Sequence, residues 1–260
     1  MRCRLMTRHA VGLAALAAAS IAPLAPARET TDTRIDPQTA SVLTAMDRFL
    51  NDVPQFSVSA GVTYDRTLES GQLVEVSEQH EVSVLRPGSL RATVLGADGV
   101  RLALVHEQTI TLVDPIGQTY FQAEAEGTLG EAVDVMVIDL GLSIPIADLM
   151  YENPAVSMTS EVVESRYLGV VPLDGVPCHH LSFRQDGLEW QMWVAAGVHP
   201  TPLRLVIHYT DRPGTPRFSA SLAWTLNQTQ FDESAFTFSP SEGYRAIDDI
   251  RRLTQPEAER

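Results

Sequence analysis

The sequence contains no lysine, so each of its 19 basic residues is an arginine, and these are outnumbered by 33 aspartates and glutamates. The absence of lysine excludes a Schiff base, a P-loop and a Ser-Lys dyad, because each of them requires a lysine amine. The net charge of −14 repels polyanions and anionic lipid headgroups. Neither binding to nucleic acid nor stable insertion into a membrane is therefore expected.

Cysteine is also scarce, since the chain has only Cys3 and Cys178. Residues 1–27 predict a secretory signal peptide: three arginines precede an uncharged apolar run over 11–21 and an Ala-Pro-Ala cleavage site. The run is too short to span a membrane comfortably. Cleavage of these 27 of the 260 residues would leave a soluble periplasmic protein with a charge of about −17 and one thiol, at Cys178. We expect that thiol to be buried, because an exposed one would be a liability in an oxidising compartment.

The remaining chain is long enough for one domain with a sizeable core. We expect a polar spacer over 28–35, a single domain over 36–247 and a polar tail over 248–260. The domain opens with a predicted helix, because Asp36 is placed to cap it, Pro37 occupies its first turn and apolar residues follow at helical spacing.

Apolar and polar residues then alternate, as in QFSVSAGVTYDR, where every second residue from Phe56 to Tyr64 is apolar or aromatic. Roughly ten such segments, separated by turns, predict an antiparallel meander with one apolar and one solvated face. So many twisted strands cannot form one flat sheet. The predicted fold class is therefore α+β, mainly β: a curled antiparallel sheet, or half-barrel, with an N-terminal helix and a central helical hairpin.

Glu78 and His80 interrupt the apolar face of the second predicted strand. Such an interruption can mark a polar group inside a cavity. It more often marks a bulge, or a strand that runs past the core, and we adopt that interpretation.

The central hairpin is predicted in GTLGEAVDVMVIDLGLSIPIADLMYENP. Thr128 and Glu131 form a capping-box pair, and a second short helix is expected after Pro145. The hairpin is apolar on both faces, which is more apolar surface than one sheet face can cover. We interpret it as a lid over a cavity that opens at one of three glycines, Gly127, Gly130 and Gly141.

The segment VPCHHLSFR carries a thiol beside two imidazoles. On a strand Cys178 and His180 face one way and His179 the other, so one metal ion cannot easily take both histidines. Three or four ligands with suitable spacing are absent, and we expect neither a metal nor a cofactor. Trp190 and Trp193 also lie on opposite faces, one in the core and the other at a cavity rim.

The stretch LDGVPCHHLSFRQDGLEWQMWV is similar to a signature, G-V-x-C-x-H-L-x-F-R…W-x-x-W, of a family of predicted periplasmic proteins of unknown function. Further similar pieces, among them FSVSAGVTYD, ITLVDPIGQTYF and FTFSPSEGYRAI, extend the resemblance over residues 35–247. The family resembles the lipoprotein-carrier (LolA/LolB-like) superfamily, which implies a half-barrel closed by helices and supplies no established activity. The signature falls on Cys178, His180, Phe183, Arg184 and Trp193.

These features favour a periplasmic carrier or sensor that binds an acyl chain or another apolar ligand, with a lipid or an acylated protein as its partner and no catalysis. The first alternative is an interaction module with a filled core that binds another envelope protein through its acidic surface. The second is a thiol-dependent hydrolase at Cys178 and His180. The oligomeric state stays open. The expected cavity is lined by Val58, Val62, Val74, Val76, Leu102, Leu104, Met136, Val137, Leu140, Leu149, Met150 and Trp190.

Overall fold

The computed structural model describes residues 34–97, 99–140, 142, 146–226 and 230–250. The predicted signal peptide lies outside the described residues, as do most of the predicted spacer and the last ten residues of the tail. All described residues belong to one compact unit.

Six strands form the first half of the sheet, and their alternating apolar residues place every second side chain against the core. The longest is β1, in which Phe56, Val58, Ala60 and Val62 are all buried, as the alternation predicts. The strands are β1 (Gln55–Thr67), β2 (Leu73–Leu85), β3 (Ser89–Gly96), β4 (Gly99–His106), β5 (Thr109–Asp114) and β6 (Thr119–Glu124).

Six more strands follow the helical segment in the middle of the chain. They are β7 (Glu164–Leu173), β8 (Val176–Gln185), β9 (Leu188–Ala195), β10 (Pro202–Tyr209), β11 (Arg217–Leu226) and the short β12 (Arg245–Ala246). The two halves meet because β1 pairs with β2 on one side and with β11 on the other. The spatial order is β12-β6-β5-β4-β3-β2-β1-β11-β10-β9-β8-β7.

This single curled, unclosed sheet confirms the predicted mainly-β fold class, with twelve described strands in place of about ten. All pairs are antiparallel except β12, which pairs parallel with β6. Its two residues add to the edge through bonds from Arg245 N to Gln118 O (2.9 Å) and from Ile247 N to Tyr120 O (2.8 Å). The sequence around β12 shows no run of alternating residues, which is why the pattern did not indicate this strand.

Both faces of the β3–β6 region are covered. The outer face lies under residues 231–250, where Phe236 is buried and Ala235 O accepts a hydrogen bond of 3.1 Å from the Arg91 guanidinium. The inner face follows from the strand pairing: Val82, opposite the buried Val58, pairs with Ala92, and Ala92 pairs with Ala103. The odd-numbered residues of β4 therefore lie on the inner face. Leu104, which we expected to face the cavity, points outward and is buried there.

Four short helical segments lie between β6 and β7, and one helix precedes β1. Helix α1 (Pro37–Asp52) begins as predicted, with the Asp36 carboxylate accepting bonds from Gln38 N (2.9 Å) and Thr39 N (3.0 Å). The middle segment contains α2 (Leu129–Asp134), a π-helical turn (Val135–Asp139), a 3₁₀ turn (Ala147–Met150) and α3 (Pro154–Thr159). A further 3₁₀ turn (Glu233–Phe236) follows β11.

The Asp36 cap is expected to contribute to stability. Asp36→Ala leaves two N–H groups of α1 without their acceptor and should lower the free energy of unfolding by about 1 kcal/mol. The control is Asp52→Ala, which removes the same charge from the last residue of the helix, where a negative charge is unfavourable. Urea denaturation measures both, and an equal loss in the two variants would contradict the role of the cap.

Candidate functional site

A cavity of about 490 Å³ lies between the inner face of the sheet and the helical segments that cover it. Its body is apolar, because inner-facing residues of β1 to β5 and of β11 meet apolar residues of the cover there. On the sheet side these are Val62, Val82, Leu90, Ala92, Val94, Ala103, Leu112 and Phe218. On the cover side they are Val133, Met136, Leu142, Ile146, Ala147 and Met150.

One end of the cavity, in contrast to its body, is polar. It is built where β1, β3, β5 and β10 end and where β2, β4 and β11 begin, since antiparallel strands bring these termini to one edge. The polar and charged residues that border it are Tyr64, Asp65, Glu78, His80, Arg101, Asp114, Tyr209, Arg212 and Arg217. We call this set the polar end. The cavity is therefore amphipathic along the strand direction.

Glu78 is the most highly connected side chain of the polar end. Its carboxylate lies 2.8 Å from His80 Nε2 and accepts bonds from Arg101 Nη2 (3.1 Å) and from the Tyr64 hydroxyl (3.3 Å). The bond with His80, supported by the Arg101 charge, holds the pKa of Glu78 below its ordinary value despite burial. Burial and the Glu78 carboxylate raise the pKa of Tyr64. A buried carboxylate with three partners is thus stable in its ionised form.

The interpretation of Glu78 and His80 as a bulge, or as part of a strand running past the core, is wrong. The pairing of β1 with β2 continues without a register shift through Val62 with Glu78 and Ala60 with His80. Both side chains therefore stay on the inner face. They are tolerated there because Arg101, from β4, reaches the same point and completes the network.

Polar contacts join the parts of the helical cover to one another and to helix α1. The Tyr151 hydroxyl donates a hydrogen bond of 2.5 Å to Asp134, which joins the end of α2 to the chain after the 3₁₀ turn. Burial and that carboxylate raise the pKa of Tyr151 well above its ordinary range. At α3, Ala155 N donates to Asp47 of α1 (2.8 Å).

The three glycines considered as hinges differ in their surroundings. Gly127 has a φ of +101°, and a Cβ there would overlap the carboxylate of Glu131, which closes the predicted capping box with Thr128. A Cβ on Gly130 would lie 2.9 Å from the ring of Tyr151. Gly141 lies outside the described residues.

The twelve residues proposed for the cavity are dispersed. Four of them border it: Val62, Leu102, Met136 and Met150. Four are buried elsewhere in the fold: Val58, Leu104, Leu149 and Trp190. Val74, Val76 and Leu140 are half-buried away from it, and Val137 is exposed.

The signature strand lies in the other half of the sheet, away from the cavity. Phe183 and Trp190 stack on the inner face with ring centroids 3.8 Å apart. On the outer face His180 stacks on Trp193 at 4.2 Å. Arg184, also on the outer face, donates to Glu164 of the edge strand at 2.7 Å. These residues thus make packing contacts and cross-strand bonds.

Cys178 and His180 share the outer face, as the alternation predicts, without forming a nucleophile and its base. The Cys178 thiol is buried and donates to Val176 O at 3.4 Å, and the His180 imidazole bonds to Gln191 at 2.9 Å. Burial raises the pKa of Cys178, which disfavours the reactive thiolate. The pair therefore lacks the activation that a thiol hydrolase requires.

Two further properties concern the described part of the chain. Among its residues, no group of three or more His, Cys, Asp and Glu is arranged to hold a metal ion. No helix within it is long and apolar enough to cross a membrane.

A family model described as predicted periplasmic protein (DUF2092) matches residues 39–249. The chain belongs to this family. The match confirms the periplasmic family that the signature strand indicated. A comparison with curated protein sequences gave no match.

Several solved structures are similar in fold. An uncharacterized conserved protein from Thermus thermophilus superposes with a TM-score of 0.50 at 12% identity, covering 81% of this chain and 98% of its own. The Mycobacterium tuberculosis lipoprotein LppX gives 0.46 at 11% identity, with coverages of 76% and 99%. A LolA superfamily protein from Nitrosomonas europaea gives 0.39 at 10% identity, with coverages of 76% and 97%.

The polar end was not predicted as a site, although part of its signal is present in the sequence. Glu78 and His80 occupy inner positions of β2 by simple alternation. Arg101 occupies an inner position of β4 that only the strand register reveals. Tyr209, Arg212 and Arg217 join them from the far half of the chain.

Replacing Glu78 should weaken the protein in a pH-dependent way. Because its folded pKa is lowered, its stabilisation is fully present above the ordinary value of 4.5 and is lost as the pH falls through the folded pKa. Glu78→Gln should therefore unfold about 1–2 kcal/mol more easily at pH 7 and lose less stability between pH 5 and pH 3. Urea denaturation across this range measures it.

The control is Glu75→Gln, an exposed position on the same strand. It should leave the stability and its dependence on acid close to those of the unsubstituted protein. An identical acid profile for Glu78→Gln and Glu75→Gln would contradict the role assigned to Glu78.

Proposed function

We propose that this protein is a periplasmic carrier or sensor, without catalysis, that binds an acyl chain or a similar apolar ligand in the cavity between the curled sheet and its helical cover. The observation that carries the proposal is the cavity itself, which is about 490 Å³ in volume and apolar along most of its length. Ligand pockets of about 300–1,000 Å³ hold small molecules with most of their surface buried. The family, described as predicted periplasmic proteins, gives the periplasm as the compartment.

The size of the cavity suits one chain. At about 30 Å³ for a water-sized group, the space holds roughly 16 such groups. A chain of about 14 methylenes gains roughly 11 kcal/mol on burial at about 0.8 kcal/mol each. The costs of association reduce this gain and still leave room for useful affinity. Methionines in the cover, Met136 and Met150, adapt to flexible ligands better than branched residues do.

A second candidate is an interaction module for another envelope protein. Edge strand β7 exposes Leu168 (48%) and Val170 (54%), and Val176 of β8 is 42% exposed beside them. An uncovered edge strand with apolar side chains can pair with an added strand. This function does not require the cavity to be filled or empty.

Native mass spectrometry of protein purified from the periplasm without detergent tests the proposed function. A stoichiometric additional mass that extracts into organic solvent as lipid would support a carrier or sensor. A bare polypeptide mass that stays unchanged after incubation with phospholipid, fatty acid and an acylated peptide would overturn it and favour the interaction module.

Filling the cavity should abolish binding while preserving the fold. Ala92→Phe adds a ring at an inner, cavity-lining position of β3 and should weaken the binding of a fluorescent fatty acid at least tenfold, because the ring takes the ligand's space. Ala223→Phe makes the same change on the exposed outer face of β11 and should bind normally. Equal affinities in the two variants would place the ligand elsewhere.

The cover is proposed to act as a lid whose two parts are held together by the bond between Tyr151 and Asp134. Tyr151→Phe removes the hydroxyl, and it should speed hydrogen exchange over residues 129–159 and raise the release rate of the same fatty acid severalfold. The matched control is Tyr244→Phe, whose hydroxyl has no hydrogen-bond partner among the described residues. Unchanged exchange in Tyr151→Phe would mean that the cover is held by packing alone.

A further inference from the structure

The charges of the polar end are not all paired with one another. Among the described residues, no carboxylate oxygen lies within 4.0 Å of the guanidinium nitrogens of Arg212 or Arg217, whereas Arg101 is paired with Glu78. Both arginines border the cavity. Arg212 is exposed and Arg217 is half-buried. Arg212 therefore presents free donors at the end of an apolar cavity.

The position of Arg212 is defined by an aromatic contact. Its guanidinium carbon lies 4.1 Å from the ring centroid of Tyr209, an inner-facing residue at the end of β10. Such a cation–π contact orients the guanidinium plane and leaves its edge N–H groups available. The Arg217 side chain is turned to the outer face, because its neighbour Phe218 faces inward, and its backbone N–H donates to Asp65 at 2.8 Å.

The three carboxylates of the polar end are occupied by other donors. Asp65 accepts the backbone N–H of Arg217, and Asp114 accepts those of Ile116 (3.0 Å) and Gly117 (2.8 Å) in its own turn. Glu78 is surrounded by Tyr64, His80 and Arg101 in its network. The acids thus leave Arg212 as the unneutralised cation beside the cavity.

We infer that the polar end selects amphiphiles in which a single apolar chain ends in an anionic head, a carboxylate or a phosphate, with Arg212 as the specificity-determining residue. The inference rests on the proposed function, because it assumes that the apolar chain occupies the cavity. A planar guanidinium offers paired N–H donors that match both kinds of head. The acidic surface elsewhere does not prevent this, since charges beyond about 8 Å are largely screened at physiological salt.

Isothermal titration calorimetry with four probes tests the inference on the mature protein purified after export. Dodecanoate and dodecyl phosphate carry an anionic head, 1-dodecanol has the same chain with a neutral head, and inorganic phosphate has the charge without the chain. Dodecanoate and dodecyl phosphate should bind at least about tenfold more tightly than 1-dodecanol, the range expected for bonds to a charged group. Inorganic phosphate should bind far more weakly.

The variant is Arg212→Gln, with Arg166→Gln as the control. Arg166 lies on the edge strand β7, paired with Glu164, so its replacement removes one positive charge away from the cavity. Arg212→Gln should lower the preference for dodecanoate over 1-dodecanol severalfold and leave the affinity for 1-dodecanol unchanged. The control should keep the full preference. Arg212 is exposed, so that variant tests the inference without disturbing the fold.

The outcomes separate the inference from the proposed function. Equal binding of dodecanoate and 1-dodecanol would overturn the head-group selection and leave a carrier of apolar chains standing. An equal loss of preference in Arg166→Gln would overturn it too, because overall charge would then explain the effect. Binding of inorganic phosphate as tight as that of dodecanoate would also overturn the inference, because the site would then bind the anion alone, without an apolar chain. No binding of any chain would remove the proposed function and the inference together.

Discussion

The pairing of β1 on both of its edges is the constraint on which the rest of the structure depends. Thirteen residues of this strand pair with β2 and nine of them pair with β11, so one strand joins the two halves of the chain into one sheet. Because side chains alternate along a strand, the buried row from Phe56 to Val62 sets the inner face for both neighbours. From β1, the pairing of each strand with the next fixes which side chains of that next strand lie on the inner face.

That register also explains why the cavity is amphipathic. Val58 pairs with Val82, Val82 with Ala92 and Ala92 with Ala103, so these four apolar side chains form one row across the inner face. One step nearer the polar end, the row runs through His80, Val94 and Arg101. An isolated charge in such a row would be costly to bury, but Glu78, His80 and Arg101 satisfy one another. The polar end thus coexists with an apolar body in one fold.

The signature strand and the cavity belong to different halves of the sheet. Phe183 and Trp190 fill the inner face of the far half, and His180 and Trp193 stack on its outer face. These contacts make that half a packed wall, whereas the β1–β5 half leaves space beneath its cover. The residues of the signature strand are therefore packing residues here. The ligand site that we propose uses other positions.

Local patterns in the sequence were sufficient for the N-terminal cap, the alternation of β1, the capping box at Thr128 and the mainly-β class, because each depends on residues close together in the chain. They also predicted that Cys178 is buried and that it shares a face with His180. Tertiary structure alone decided which face of β4 is inner, because the segment around Phe236 covers the outer face and makes both sides apolar. It also decided that Glu78 meets Arg101 and that Tyr209 reaches the same cavity. These residues are distant in sequence, and only the register of the paired strands brings them together.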